Sequence, residues 1–221
     1  MPIRQGSLPN GDGPFYCPQM SRRVVTYVDG FNLYHALDDL KEPSLKWLDL
    51  WSLSASLVRP NEHLVGVKYF SAFATWLPGP FARHRQYVKA LESVGVQAVM
   101  GRFKEKPRQC NNCHARWTSH EEKETDVNVA IHLIKDVLKN EFDRAIIISA
   151  DSDLVPAVKM AQQHDRTKEI SVVAPPGRFG HARDLKPILE ISKGRVRKHL
   201  LAAAMRHRDG TTIIRPIEYD P

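Results

Sequence analysis

The stretch Ala145-Ile146-Ile147-Ile148-Ser149-Ala150-Asp151-Ser152-Asp153-Leu154 constrains the fold more than any other segment. A short, β-branched apolar run reads as a buried strand, and here two aspartates separated by one serine follow it at once. In an open parallel sheet the carboxyl ends of the strands line the crevice where ligands bind. Carboxylates placed there are groups to be used, and the remaining sequence can be searched for partners that reach the same crevice.

Residues 24–28 are a second β-rich run and end in Asp29-Gly30-Phe31-Asn32, a tight turn leading into a helix over 33–40. Asp29 therefore stands at a strand's carboxyl end, as Asp151 does. Asp49 caps a helix over 50–58, and residues 63–73 supply another strand. Pro78-Gly79-Pro80 marks a turn before a helix over 81–94, which Gly95 stops, and residues 96–100 form the next strand. A basic loop over 102–122 follows. Thr125 is the expected N-cap of a helix over 126–140 with an apolar stripe of Val127, Ala130, Ile131, Ile134, Val137 and Leu138, widened by Val129 and Leu133. Asp126 falls within that stripe, whereas Asn128, His132 and Lys135 share the opposite face. A carboxylate on a buried face requires a partner or a cation. Beyond the opening stretch, the pattern predicts a helix over 154–163, a strand over 169–174, helices near 182–190 and 195–205, and an edge strand over 211–216 limited by Pro216. Strands alternating with helices predict a three-layer α/β/α sandwich around a mostly parallel sheet.

The 221 residues suffice for one sizeable core. Residues 1–20, rich in Gly and Pro, read as a disordered leader, with Met20 as the expected start; 21–192 form the domain, and 193–221 a basic extension packed on it. No apolar run approaches the length of a membrane span and the N-terminus lacks a signal-peptide core, so a soluble cytoplasmic protein is expected. Homo-oligomerisation is left open by the sequence.

An excess of 32 Lys+Arg over 25 Asp+Glu, giving +7, favours a polyanionic partner, foremost RNA. Arg102, Lys104, Lys106 and Arg108 in the basic loop, and Arg195, Arg197 and Lys198 near the C-terminus, are the residues expected to track a phosphate backbone. Cys110-Asn111-Asn112-Cys113-His114, with His120 close behind, has the spacing of a metal knuckle, so Cys110, Cys113, His114 and His120 are candidate ligands of a structural zinc. Haem attachment and a thioredoxin-like redox pair fit the context less well.

Asp29, Asp126, Asp151 and Asp153 converge in this topology on one end of the sheet. Four carboxylates so close would resist ionisation unless a cation offset their charge, and Mg²⁺ or Mn²⁺ suits such oxygen donors. The matching reaction is phosphodiester hydrolysis. A dehalogenase-type phosphatase would carry its Asp-x-Asp after the first strand, a glycosidase would flank a sugar cleft, and a dinucleotide enzyme would show a Gly-rich turn; none of these patterns appears.

Three segments, Val28-Asp29-Gly30-Phe31-Asn32-Leu33, Glu122-Lys123-Glu124-Thr125-Asp126-Val127 and Ser149-Ala150-Asp151-Ser152-Asp153-Leu154, resemble the signature segments of NYN domains, LabA-like members of the PIN-like nuclease group. The resemblance covers about residues 23–174. It implies a PIN-like Rossmannoid fold and a metal-dependent RNase site in which Asp29, Asp126, Asp151 and Asp153 hold the metal. Asn32 and Ser149 would then support the substrate or a metal-bound water. The Cys-x-x-Cys insertion resembles one found in a subset of the family; Ala150 departs from the family's frequent glycine. Because some relatives are linked to regulation and others to hydroxylation of 6-hydroxy-3-succinoylpyridine, a non-catalytic RNA-binding regulator and a small-molecule monooxygenase stand as alternatives to the ribonuclease.

Overall fold

A computed structural model describes residues 21–207 and 209–221, so the expected leader and the Met20 start lie outside the described residues. Nine strands and six helices are seen among them: β1 Arg22–Asp29, α1 Gly30–Asp39, α2 Leu50–Ala55, β2 Glu62–Ala72, α3 Pro78–Ser93, β3 Gln97–Gln109, β4 Arg116–Lys123, α4 Thr125–Leu138, β5 Arg144–Ile148, α5 Val155–His164, β6 Glu169–Ala174, β7 Leu189–Glu190, α6 Lys193–Lys198, β8 Ala204–Arg206 and β9 Thr212–Ile214. Seven strands make one sheet in the order β4-β3-β2-β1-β5-β6-β7, and β8 pairs with β9 separately. All neighbours in the main sheet run parallel except β3 and β4. The mostly parallel α/β sandwich read from the sequence is therefore the observed architecture.

Alternation along the strands divides the core in two. Val24 and Val28 of β1 and Ile146 and Ile148 of β5 face α1, α2, α3 and α6. Val25 and Tyr27 of β1 and Ala145 and Ile147 of β5 face α4 and α5. Continuing the same period of two, Asp29 and Ser149 leave their strands on the α4 side. From β1 the chain moves outward through β2 and β3, then returns by α4 to β5 on β1's other flank. The strand order reverses between β1 and β5, and a parallel sheet opens its ligand crevice at such a switch point. Gly30 makes the joint possible: a Cβ there would lie 2.5 Å from the Phe70 carbonyl oxygen of β2.

Several local expectations need correction. The basic loop is a β-hairpin, because β3 runs on past the sheet and pairs with β4 in an unbroken antiparallel register from Arg102↔Lys123 to Gln109↔Arg116. Pro78-Gly79-Pro80 is the first turn of α3, where proline's missing N–H is harmless, and not a separate turn. Thr125 is the first helical residue of α4; the cap is Glu124 with a left-handed φ of 80°, and Glu122 Oε1 accepts from the Thr125 N–H and hydroxyl. The buried face of α4 is rotated from the predicted stripe: Val129, Leu133 and Val137 are buried, whereas Val127, Ile131 and Leu138 are 58%, 55% and 62% exposed. Polar partners explain the rotation. Asp136 on the buried face accepts from the Tyr27 hydroxyl at 2.5 Å and pairs with Lys68, and the His132 ring, expected on the polar face, packs edge-on against Phe70. The helix expected near 182–190 is a 3₁₀ turn, Arg183–Leu185, followed by β7. That expected over 195–205 stops at Lys198, and the chain continues into β8.

The C-terminal segment meets the rest of the chain through named contacts. Trp47 Nε1 donates to the Ala202 carbonyl at 2.9 Å, and Leu48 bridges to Leu200.

Candidate metal centre and its cavity

Three carboxylates meet at the switch point. Asp29, Asp126 and Asp151 each offer an oxygen, and these oxygens lie within 4.8 Å of one another. Asp29 ends β1 and is buried; Asp151 follows β5, and Asp126 sits in the first turn of α4, both half-buried. Asp153 is exposed and stands outside this group of three; its N–H donates to Asp151 Oδ1 at 2.9 Å, shaping the turn.

Two neutral residues hold the acids in place, Ser149 through its side chain and Asn32 through its backbone N–H. Ser149 donates its hydroxyl to Asp29 Oδ2 at 2.8 Å and accepts from the Asp151 N–H at 3.0 Å. Asn32 donates its N–H to Asp29 Oδ1 at 3.0 Å, and its Oδ1 accepts from the Ala150 N–H at 3.1 Å. Asn32 thereby ties the start of α1 to the loop after β5, across the crevice. Both residues thus touch the acids or the loop that carries them.

Burial and then the charges of Asp29 and Asp151 push the Asp126 carboxyl up to about 6. Burial also raises Asp29, outweighing its hydrogen bonds from Asn32 and Ser149. Hard oxygen donors that repel one another are the donor set a divalent cation satisfies, so the residues fit such an ion. A carboxyl whose folded pKa exceeds its unfolded value stabilises the fold below about pH 4 and loses that contribution as pH rises through about 6. In chelator-treated protein, wild type is therefore expected to lose about 1 kcal/mol relative to Asp126→Asn between about pH 4 and 7, after allowance for solvent screening at a half-buried group. Asp143 and Glu169, held near 2 by hydrogen bonds from Arg23 and Arg59, titrate below that window with the opposite sign. Adding Mn²⁺ near neutral pH should then raise the wild-type Tm and leave the variant's almost unmoved. Parallel pH profiles of wild type and variant, or an equal Mn²⁺ shift in both, would count against the carboxylate cluster as the binding site.

The acids are part of the lining of a cavity of about 730 Å³. Its other walls include Phe31, Tyr34, Trp76, Phe103, His120 and Glu122, so the hairpin contributes from its inner face. Phe103 meets Phe31 at 5.5 Å and Trp76 at 4.7 Å, both edge-on, while His120 stacks on Trp76 at 3.6 Å. No aromatic lining was anticipated from the sequence; the available signal was Phe31, two residues beyond Asp29.

Arg102, Lys104, Lys106 and Arg108 alternate along β3 and so share the hairpin's outer face, as Phe103 and Glu105 share its inner one. Glu121 on that outer face pairs with Lys106 and Arg108, and Arg102 pairs with Glu124. On α6, Arg197 and Lys193 both bind Glu42, and Arg195, Arg197 and Lys198 stay outside the cavity lining. The zinc quartet is divided. Cys110, Cys113 and His114 occupy the hairpin tip, whereas His120 lies opposite Glu105, roughly 15 Å down the ribbon. Extended pairing, unseen in the sequence, separates them. Backbone N–H groups of Cys113 and Asn112 hold the Cys110 thiol below its usual range.

Comparison with known proteins adds three findings. The family model described as NYN domain matches residues 23–186. A curated relative from Pseudomonas putida (strain DSM 28022 / S16), 6-hydroxy-3-succinoylpyridine 3-monooxygenase HspA, is 27% identical over 190 residues, covering 69% of this chain and 59% of its own. The chain thus spans 59% of that relative's length. A crystal structure of a protein of unknown function from Vibrio parahaemolyticus superposes with a TM-score of 0.50 at 18% identity, covering 82% of this chain and 98% of the other, a likeness of fold alone.

Proposed function

Because the chain belongs to the nuclease-like NYN domain family, we propose that it is a Mg²⁺- or Mn²⁺-dependent endoribonuclease acting at the Asp29, Asp126 and Asp151 cluster. The observation that carries this reading is the convergence of three carboxylates, from β1, α4 and the end of β5, at the switch point of a parallel sheet. A divalent cation held there would lower the pKa of a water and offset charge on the attacked phosphate. Asp29 is fixed through Ser149 and Asn32, so its oxygens are aimed before any ligand arrives. Asp153, exposed beside Asp151, extends the acidic rim towards solvent. The cationic outer face of the hairpin would bind flanking phosphates, with Lys104 among its contacts and Arg108 joining them on leaving Glu121. A structural zinc at the hairpin tip would draw first on Cys110 and Cys113, because His114 does not join them in a three-donor group in this structure, and zinc analysis of the purified chain is its test.

Mn²⁺-dependent cleavage of mixed single-stranded and structured RNA is expected from wild type and is expected to vanish in Asp151→Asn. Equal cleavage by both would remove the cluster from the chemistry. RNA bound without cleavage would instead indicate a non-catalytic regulator. The aromatic cavity beside the acids also favours a second reading, hydroxylation of a substituted pyridine, as the name of the Pseudomonas relative suggests. That reaction consumes a reductant and dioxygen, so it requires turnover of a pyridine substrate with a redox cofactor bound to the purified chain.

A further inference from the structure

The cavity is built for more than a phosphate. Beside the acids, and along with the charged side chains of Lys46, Arg83 and Glu122, its lining carries rings from three separate elements, Phe31 from α1, Trp76 from the β2–α3 connection and Phe103 from β3. These rings touch one another edge-on, forming a continuous aromatic wall that starts two residues from Asp29. At its depth Tyr69 and His84 share a hydrogen bond of 3.1 Å, and burial lowers the His84 pKa to about 4, so the imidazole is neutral at physiological pH. Neutral polar groups inside an aromatic pocket orient a flat, uncharged, heteroatom-bearing ligand. Tyr34, 44% exposed, adds a further ring to the lining.

We infer that this cavity is a nucleobase subsite, receiving one unpaired base of the nucleotide next to the phosphate held at the acid cluster. The inference rests on the ribonuclease reading for the position of that phosphate. Every base has a π-face, and stacking on an aromatic side chain is worth about 1–3 kcal/mol per base. A base inside a duplex cannot enter a walled cavity unless it leaves the stack. The hairpin serves both parts of the nucleotide chain: Phe103 on its inner face meets the base, while the Lys and Arg residues on its outer face meet phosphates further along. Specificity for an extruded base would thus come from the pocket, and salt-dependent affinity from the ribbon.

The test uses the full chain as Asp151→Asn and a set of single-stranded oligoribonucleotides, each carrying one 2-aminopurine, whose fluorescence is quenched when it stacks. With Mg²⁺ present, strong quenching is expected at one position, adjacent to the bond that wild type cuts. Phe31→Leu and Trp76→Leu, each placed in the Asp151→Asn background and checked for folding by circular dichroism, should abolish that quenching and weaken binding roughly tenfold. The same sequence annealed into a blunt duplex should show no protein-dependent quenching. Quenching without cleavage by wild type supports the subsite and removes the ribonuclease reading. Absence of quenching, with or without cleavage, overturns the subsite, as does quenching unchanged in both folded variants.

Discussion

Replacing Asp29 with asparagine is expected to lower Mn²⁺-dependent RNA cleavage by roughly a hundredfold or more, since a metal's stabilisation of transition-state charge is worth several kcal/mol. Of the three clustered acids, Asp29 is the most deeply buried and the only one that ends a central strand. Asparagine keeps an oxygen to accept from the Asn32 N–H, and the Ser149 hydroxyl can turn to accept from its amide, so the joint between β1 and α1 survives. The loss is therefore expected in rate and metal affinity and not in structure. Burial already opposes ionisation at this position, and the metal-free variant should melt no lower than wild type near neutral pH. Cleavage rates measured across a Mn²⁺ titration, with melting curves of the same samples, separate the two effects. A variant within threefold of wild type at saturating Mn²⁺ would show that Asp29 is structural.

The second large effect lies at the opposite end of the sheet. Arg144, 1% exposed at the start of β5, donates from Nε and Nη2 to Glu62 at 2.9 and 2.6 Å, and from Nη2 to the Leu57 carbonyl at 3.0 Å. Burial raises the Glu62 carboxyl, yet the Arg144 guanidinium and the Arg59 N–H outweigh it and hold the group below its usual range. Removing one partner of a buried pair costs about 3–5 kcal/mol, and Arg144→Ala is expected at the lower end of that range, because Glu62 keeps the Arg59 N–H at 3.0 Å and the Arg22 and Arg59 guanidinium groups at 3.7 Å. Urea denaturation should show that loss, with a Tm lower by roughly 10 °C. Arg144→Met combined with Glu62→Gln should recover most of it, because the pair's own net contribution is small once both charges go. Cleavage measured below the transition should be unchanged, the pair standing at the amino ends of the strands. A loss under about 1 kcal/mol for Arg144→Ala would mean that Arg22, Arg59 or water compensates Glu62 in full.

What the sequence revealed and what it hid follow one physical line. Strands β1, β5 and β6 were readable because a strand buried on both faces is written as an uninterrupted apolar run, and the acids were readable because they end two of those runs. Asp126 was placed through helical periodicity although the buried face of α4 was misjudged. That helix carries apolar residues almost all round, and the choice of face fell to Asp136 and its partners Tyr27 and Lys68, which only the folded chain brings together. The hairpin was read as a loop because its strands are rich in charged residues and its partly buried inner face carries Phe103, His120 and Glu122 where an apolar alternation would be sought, so no hydrophobic pattern marks it. Its pairing in turn decided what sequence spacing could not: His120 belongs with Trp76 beside the cavity and not with Cys110 and Cys113. Asp153 looked equivalent to Asp151, yet the turn they share leaves Asp151 half-buried and Asp153 exposed.

The hydrogen bond from Ser149 to Asp29 joins the ends of two adjacent central strands, whereas Asp126 arrives on the first turn of a helix that follows an exposed ribbon. Local opening free energies differ accordingly, since central strands open only with global unfolding and helix ends beside exposed segments fray at far smaller cost. Two of the three acids stand on or just after central strand ends, and the third stands on a helix end, so the three are expected to differ in opening free energy. In amide exchange, the cluster would divide into a slow half and a fast half, and a bound cation would act chiefly by slowing the fast one.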